Sequence, residues 1–371
     1  MQTPLQTQRI AKVLDIPILA ATAATVGFGL VIIRSASMVY SSSIMFVTKQ
    51  ALALVIGTAG LIGLAIADYR AVAGVSRWIY VGNVFLLLLV LVLGREAKGA
   101  QRWIPLGPFN LQPSEIAKLA LIITLSKYLV GLGDQIRSFL GLAKSLLHIA
   151  PPALLIFKQP DMGTSLVLIA LWFGLTYMAG AKIKHLLLCF LGGLLLFGVL
   201  WYTGEIKPYQ KARLISCFNP DADPRGSGYH IRQSRIAVGS GQLLGKGLFK
   251  GTQKQLRFVP ENHTDFIFTV VAEELGFIGS VALLSLYLIL ILCALRIAIV
   301  CEDLLGQLMA GGVAVVLTFQ VVVNVGMTMG IMPVTGIPLP FFSYGPSSLV
   351  ANLCAVGLLQ SIYRRRFKLM F

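Results

Sequence analysis

Asp265 closes a polar run, ENHTD, and the residues after it, FIFTVVAEELG, are almost wholly apolar. A carboxylate at the mouth of a membrane-length helix is partly desolvated, which raises its proton affinity and suits it to general-base work. Capping and the helix dipole are the plainer use of an Asp in such a first turn. A cap needs only one such group, however, and here Glu261, His263 and Asp265 crowd together. Glu273 and Glu274 follow one to two turns into the apolar run, where ionisable side chains are functional or structurally paired.

Other chemistry-bearing residues recur at the ends of apolar runs. In QPSEIAK (112–118), Glu115 and Lys118 are spaced i, i+3 and meet on one helix face. Such a pair is costly at membrane depth, so it is expected to face a polar cavity, with Lys118 placed to hold a phosphate. Arg102 stands just before it in GAQRW (99–103), and Asp161 and Thr164 lie at a helix start in KQPDMGTS (158–165), where capping is again the alternative. YQKAR (209–213) adds Gln210 and Arg213 as candidate substrate contacts. The nearby GSGQLLGKG lacks the Ser or Thr and the strand–helix context of a phosphate-binding P-loop, so nucleotide binding there is rejected. MPVTGIPLPFFSYGPSS (332–348) reads as a re-entrant strap. At membrane depth such backbone is tolerated only when buried in protein or lining a cavity; it is either the floor of a substrate site or a bent connection.

The elements that hold these residues are helices in a bilayer. Of the 371 residues 56% are apolar and only 12% charged, against about 25% charged in soluble domains. Runs long enough to span occur near 16–33, 47–67, 79–94, 114–131, 143–157, 162–180, 185–203, 266–295, 306–329 and 343–363. The expected fold is therefore all-α and polytopic, with about ten transmembrane helices. Lys118, Lys127 and Pro151-Pro152 interrupt the fourth and fifth runs. The first run reads as an uncleaved anchor, because no small-residue cleavage site follows it.

Placing the N-terminus inside gathers fourteen basic residues, including the C-terminal YRRRFK, on the inner side. Residues 204–265 then form a large outer loop between the seventh and eighth spans, with ten basic against five acidic residues. That excess would attract anionic headgroups or phosphates; a solvated surface loop is the plainer reading. With a carboxylate beside a cationic segment at the membrane surface, the chemistry expected is that of anionic lipids. Of the five cysteines only Cys217 falls in this loop, so no outer disulfide framework is expected. The scattered histidines and the lack of any CxxC or HExxH argue against a structural metal site.

GAQRW (99–103), QPSEIAK (112–118), QPDMGTS (159–165), DPRGSGYHIRQSRIAVGSGQLLGKG (223–247), ENHTDFIFTVVAEELG (261–276) and GIPLPFFSYG (336–345) together resemble one family over nearly the whole chain. It is the SEDS proteins, the RodA/FtsW/SpoVE group of bacterial cell-wall polymerases. GTQKQLRFVPENHTDF is more like the elongation members than the division members. One departure is Pro346, where the family usually has a second Gly in SYGGSS; it removes an N–H and fixes φ.

The resemblance implies a single ten-helix domain over 1–371 that polymerises lipid II in the bacterial plasma (inner) membrane. Both termini would be cytoplasmic and the active site extracytoplasmic. The implied partners are a class B penicillin-binding protein and other elongation-complex membrane proteins, with no nucleic acid. Asp265 matches the family's essential aspartate, Glu115 and Lys118 its acid–lysine pair, and Asp161 its aspartate before the sixth span. On this reading Asp265 deprotonates the GlcNAc 4-hydroxyl of lipid II for attack on the MurNAc anomeric carbon. Lys118, Arg102 and Arg213 stabilise the departing pyrophosphate, with a divalent cation, Mg or Mn, as a further candidate. Gln210, His263 and Glu273 are expected to support the site. The alternatives are a lipid II flippase, which needs polar access from both faces, and a non-catalytic scaffold, which would tolerate loss of Asp265.

Overall fold

The computed structural model describes residues 14–40, 43–97, 100–106, 109–224, 226–256, 258 and 261–366. Arg9, Lys12, Arg225, Arg257 and Lys368, counted above among the basic residues, lie outside the described residues, as does Gly99 of GAQRW.

Seven long helices come first: α1 (Ile16–Ser37), α2 (Ser43–Ile66), α3 (Ser76–Leu93), α4 (Pro113–Leu132), α5 (Phe139–Lys158), α6 (Met162–Met178) and α7 (Ile183–Tyr202). Two shorter helices, α8 (Pro208–Phe218) and α9 (Ser227–Ser240), lead to α10 (Ile267–Val300), α11 (Leu304–Thr328) and α12 (Pro346–Arg364). The fold is all-α and polytopic, as expected. Among the described residues eight helices are long and apolar enough to cross a membrane. The other two long ones are α6, with 17 residues, and α12, which carries Asn352 and Gln360 buried in the bundle.

Local chemistry explains the helix starts. Asp15 and Ser138 accept hydrogen bonds from first-turn amides of α1 and α5. Pro113, Pro208 and Pro346 sit at the first position of their helices, where a missing N–H costs nothing. Pro346 therefore begins α12 without disturbing the turn before it. Pro151 and Pro152 lie inside α5, which runs through both; neighbouring groups in a bundle re-satisfy backbone that proline frees. The interruption that the sequence shows there is not a break in the helix.

α11 is the most enclosed span, packed against α10, α6 and α4, while α12 packs most extensively on α2. At the other extreme α7 buries only Leu186. Gly29 lets α1 approach the strap before α12, since a Cβ there would meet the Phe342 Cα at 2.9 Å.

Two features depart from the sequence reading. Between the third and fourth spans lies a three-stranded antiparallel sheet, β1 (Arg95–Ala97), β2 (Ala100–Leu106) and β3 (Phe109–Leu111), where the all-α expectation has no strand. Residues 204–265 are not a plain solvated loop either. Helix α9 lies against α10 and α11, and its Ser234 hydroxyl donates to Thr328 O at 2.5 Å. Arg235 donates to Met329 O and Gly330 O at the end of α11, a favourable place for a cation.

Candidate active site

Where the strap 329–345, the sheet, α8 and α9 meet at one end of the bundle, they enclose a cavity of about 600 Å³. Its charged walls are Lys49, Arg102 and Arg213 against Glu261 and Asp265. Asp265 is half-buried and lies just before the N-cap of α10, which is Phe266. It is thus outside the first turn and is not the cap residue expected from the sequence. Its position is fixed through its backbone, as Asn324 Nδ2 donates to Asp265 O at 2.8 Å and to Ile337 O at 2.7 Å. Ser343 Oγ donates to Thr264 O at 2.7 Å, and the Tyr344 N–H to His263 O at 2.9 Å. The strap is therefore tied to the segment that carries Asp265. Gly336, at φ 74°, passes so close that a Cβ there would lie 3.4 Å from Asp265 Oδ2.

Arg102 projects from β2 and is anchored at its back. Its Nε donates to Gln159 O at 3.1 Å, Nη2 donates to Pro160 O, and Nη1 lies 3.8 Å from Asp161 Oδ1. Asp161 caps α6, accepting from Thr164 N at 3.2 Å, and also accepts from the Thr164 and Ser114 hydroxyls. It stands behind the cavity and orients a cation that faces it. Arg213, on α8, has only the Tyr209 ring beneath its guanidinium, 5.7 Å away. Among the described residues neither Arg213 nor Lys49 makes a hydrogen bond or ion pair. Burial pushes the Arg213 pKa below its ordinary value, and the charge of Arg102 adds to this; Tyr209, Asp265 and Asp161 oppose it. Two guanidiniums held within mutual repulsion, with a free lysine on the same wall, form a site that an anion would stabilise.

Five expected site residues lie elsewhere. Glu115 and Lys118 pair at 2.8 Å, 1% and 4% exposed, beside a void of about 20 Å³ between α4, α11 and α12. Lys118 is committed to that carboxylate and does not reach the large cavity. Gln210 caps α8, its Oε1 accepting the Lys207 N–H at 3.1 Å. Glu273 faces the opposite way, accepting from Lys246 Nζ, the Thr252 N–H and hydroxyl, and the Gln253 N–H, all within 3.0 Å. His263 packs among Tyr40, Phe46 and Tyr344, with ring centroids 5.0–5.8 Å away, rather than on the cavity wall.

Glu273 and Glu274 instead serve a break in α10. Gly276 has φ 65° and ψ −156°, which interrupts a 34-residue helix. The freed backbone groups bond to an inserted loop: Lys246 N and Gly247 N donate to Glu273 O and Glu274 O, while Phe277 N donates to Gln242 O at 2.8 Å. Glu274 also accepts from the Ser35 hydroxyl of α1 and the Phe249 N–H. The loop is thereby built into the helix whose start holds Asp265.

Sequence reasoning missed Lys49, His230 and Asn324. Lys49 is an ionisable group in an apolar run and carried the same signal as Lys118. His230, on α9, lines the cavity, and burial followed by the Arg213 charge lowers its pKa, against Asp223 and Glu261. Asn324 gave no signal beyond a lone amide at the end of the ninth run. Among the described residues no three His, Cys, Asp or Glu side chains gather as metal ligands. Glu261 and Asp265 are, among the described residues, the two carboxylates that line the cavity, opposite the cations Lys49, Arg102 and Arg213.

The chain is similar to known proteins over nearly its whole length. "Peptidoglycan glycosyltransferase MrdB" of Escherichia coli (strain K12) is 37% identical over 338 residues, covering 90% of this chain and 91% of that one. "Stage V sporulation protein E" of Bacillus subtilis (strain 168) is 39% identical over 360 residues, covering 94% and 97%. Among solved structures, a chain of a peptidoglycan synthase complex that coordinates polymerization and crosslinking aligns with TM-score 0.83 and 35% identity over 96% of this chain and 99% of that one. The rod shape determining protein RodA of Thermus thermophilus aligns with TM-score 0.70 and 32% identity over 96% and 98%. The FtsW/RodA/SpoVE family, described as cell cycle proteins, matches residues 16–368, and the chain belongs to it.

Proposed function

We infer that this chain is a peptidoglycan glycosyltransferase that polymerises lipid II during cell elongation. The observation that carries the reading is one cavity lined by the Asp265 carboxylate, by Arg102, and by Lys49 and Arg213, which make no hydrogen bond or ion pair among the described residues. A carboxylate base and an anion-stabilising wall are the two things needed to join sugars when the leaving group is a lipid pyrophosphate.

In the reaction, the Asp265 carboxylate takes the proton of the acceptor GlcNAc 4-hydroxyl. The oxygen forms the new β-1,4 bond at the MurNAc C1, and the C1–O bond to the pyrophosphate breaks with its electron pair passing to that oxygen. One displacement inverts the α-linked lipid to a β-glycoside. Arg102, Arg213 and Lys49 neutralise charge as it grows on the leaving pyrophosphate, and the proton on Asp265 leaves to solvent before the next cycle. Asp161 orients Arg102, and the Glu115–Lys118 pair braces α4 against α11 and α12.

The distribution of basic residues supports a bacterial plasma membrane topology with both termini cytoplasmic and the cavity extracytoplasmic. Residues 204–265 would then be its extracytoplasmic cover within a single domain. A cross-linking partner, a class B penicillin-binding protein, is supported by the synthase complex among the structural relatives.

The test is to supply fluorescent lipid II to purified protein, with and without the partner, in detergent and in sealed vesicles. Glycan polymer in detergent is expected. Lipid II crossing the vesicle bilayer with no polymer formed would instead select the flippase.

A further inference from the structure

A second cavity, of about 470 Å³, lies at the other end of the same helices and takes no part in the chemistry above. Gln112, immediately before α4, lines the first cavity, whereas Gly131 and Leu132, at the end of α4, line the second. Twenty residues of helix separate the two by about 30 Å, the thickness of the bilayer core.

The back wall of the second cavity is aromatic. His148 of α5 is sandwiched between Tyr128 of α4, stacked at 4.8 Å and 14°, and Tyr80 of α3 at 4.4 Å. Tyr80 OH donates to His148 O at 2.8 Å, and His148 Nε2 lies 3.3 Å from Thr124 Oγ1, so the stack is fixed. Arg77 and Lys127 stand on the same walls, both exposed, and among the described residues no carboxylate lines the cavity. Neither cation makes a hydrogen bond or ion pair among the described residues, whereas Arg70, Arg296 and Arg365, elsewhere in the bundle, all do. Beside Arg77, Trp78 is 74% exposed, and Val81, Phe85, Leu88 and Val92 continue an exposed apolar stripe up α3 at helical spacing. A polar anionic head at the mouth would thus have apolar surface beside it for its tails.

We propose that this cavity binds the phosphodiester headgroup of an anionic membrane phospholipid. Arg77 and Lys127 are its charge partners, the Tyr80–His148–Tyr128 stack is its wall, and the acyl chains lie along the outer face of α3. Basic pockets between spans on the cytoplasmic side are suited to such headgroups, and with the topology proposed above this is the cytoplasmic leaflet.

The test uses the full-length protein in nanodiscs of phosphatidylcholine alone or with phosphatidylglycerol, followed by detergent extraction and counting of retained lipid by native mass spectrometry. Wild type is expected to retain phosphatidylglycerol selectively. Retention affinity should fall about fivefold for Arg77→Gln or Lys127→Gln and about thirtyfold for both together, while Arg137→Gln, which alters an exposed pair with Asp134, leaves it unchanged. Circular dichroism of the double variant checks that it is folded. Undiminished retention in the folded double variant would overturn the proposal. So would inorganic phosphate or glycerol phosphate raising the unfolding temperature as much as the lipid does, which would make the site one for a free anion. Because the readout is lipid binding, it stands or falls apart from polymerisation.

Discussion

The fully buried amide of Asn324 donates to the main-chain carbonyl of Asp265 at 2.8 Å, and its second hydrogen goes to Ile337 O. The end of α11 thereby holds both the segment that carries Asp265 and the strap opposite it. Asn324→Ala removes both of these hydrogen bonds, at a cost of about 1–3 kcal/mol. Because the loss loosens geometry and not charge, kcat is expected to fall about 10- to 100-fold with KM for lipid II little changed. Steady-state polymerisation by the folded variant checks this, and an unaltered kcat would remove Asn324 from the positioning role.

The break in α10 makes its own prediction. A Cβ at Gly276 would meet Gly245 N at 2.3 Å, and its φ of 65° is unfavourable to any other residue. Gly276→Ala is expected to cost at least about 1–3 kcal/mol. Glu273→Ala should release the loop it holds, so that limited proteolysis cuts within 246–256 while α10 stays protected. Cleavage at the wild-type rate would contradict the role of Glu273 as an anchor.

A buried ion pair is costly to break and cheaper to remove whole. Glu115→Gln or Lys118→Met alone should each lose about 3–5 kcal/mol, because each leaves one buried group without its partner. The double variant, with no charge to bury, should recover most of that loss in thermal unfolding in detergent. A double variant no more stable than the single ones would mean that the pair is not closed in solution.

His230 sets the sign of a pH effect. Its folded pKa lies below the ordinary 6.5, chiefly through burial. As pH falls through 6.5 the unfolded chain takes up a proton before the folded one, so stability declines from there downward. The unfolding temperature of wild type should drop between pH 7 and pH 5, and His230→Asn should flatten that slope.

Much of this was legible in the sequence, for identifiable reasons. Apolar runs of membrane length located the long helices among the described residues to within a few residues, because a bilayer leaves few other choices for such a run. ENHTD and GAQRW pointed to Asp265 and Arg102, which share a cavity wall. What could not be read was direction. Glu273 and Lys118 are as conspicuous in sequence as Asp265, yet each is turned to a local partner, a loop amide in one case and Glu115 in the other. Lys49 reaches the cavity, and Asn324 the backbone behind it, only through tertiary packing. The sheet at 95–111 hides in a Gly/Pro-rich segment too short for an alternating pattern to stand out.

Polymerisation of labelled lipid II by purified wild type, Asp265→Asn and Asp265→Ala, with folding of each checked by thermal unfolding, asks whether Asp265 is the base. If it is, wild type gives glycan strands and neither folded variant gives any above background, since neither retains a carboxylate to take the 4-hydroxyl proton. Strands of normal length and yield from folded Asp265→Asn would contradict that role.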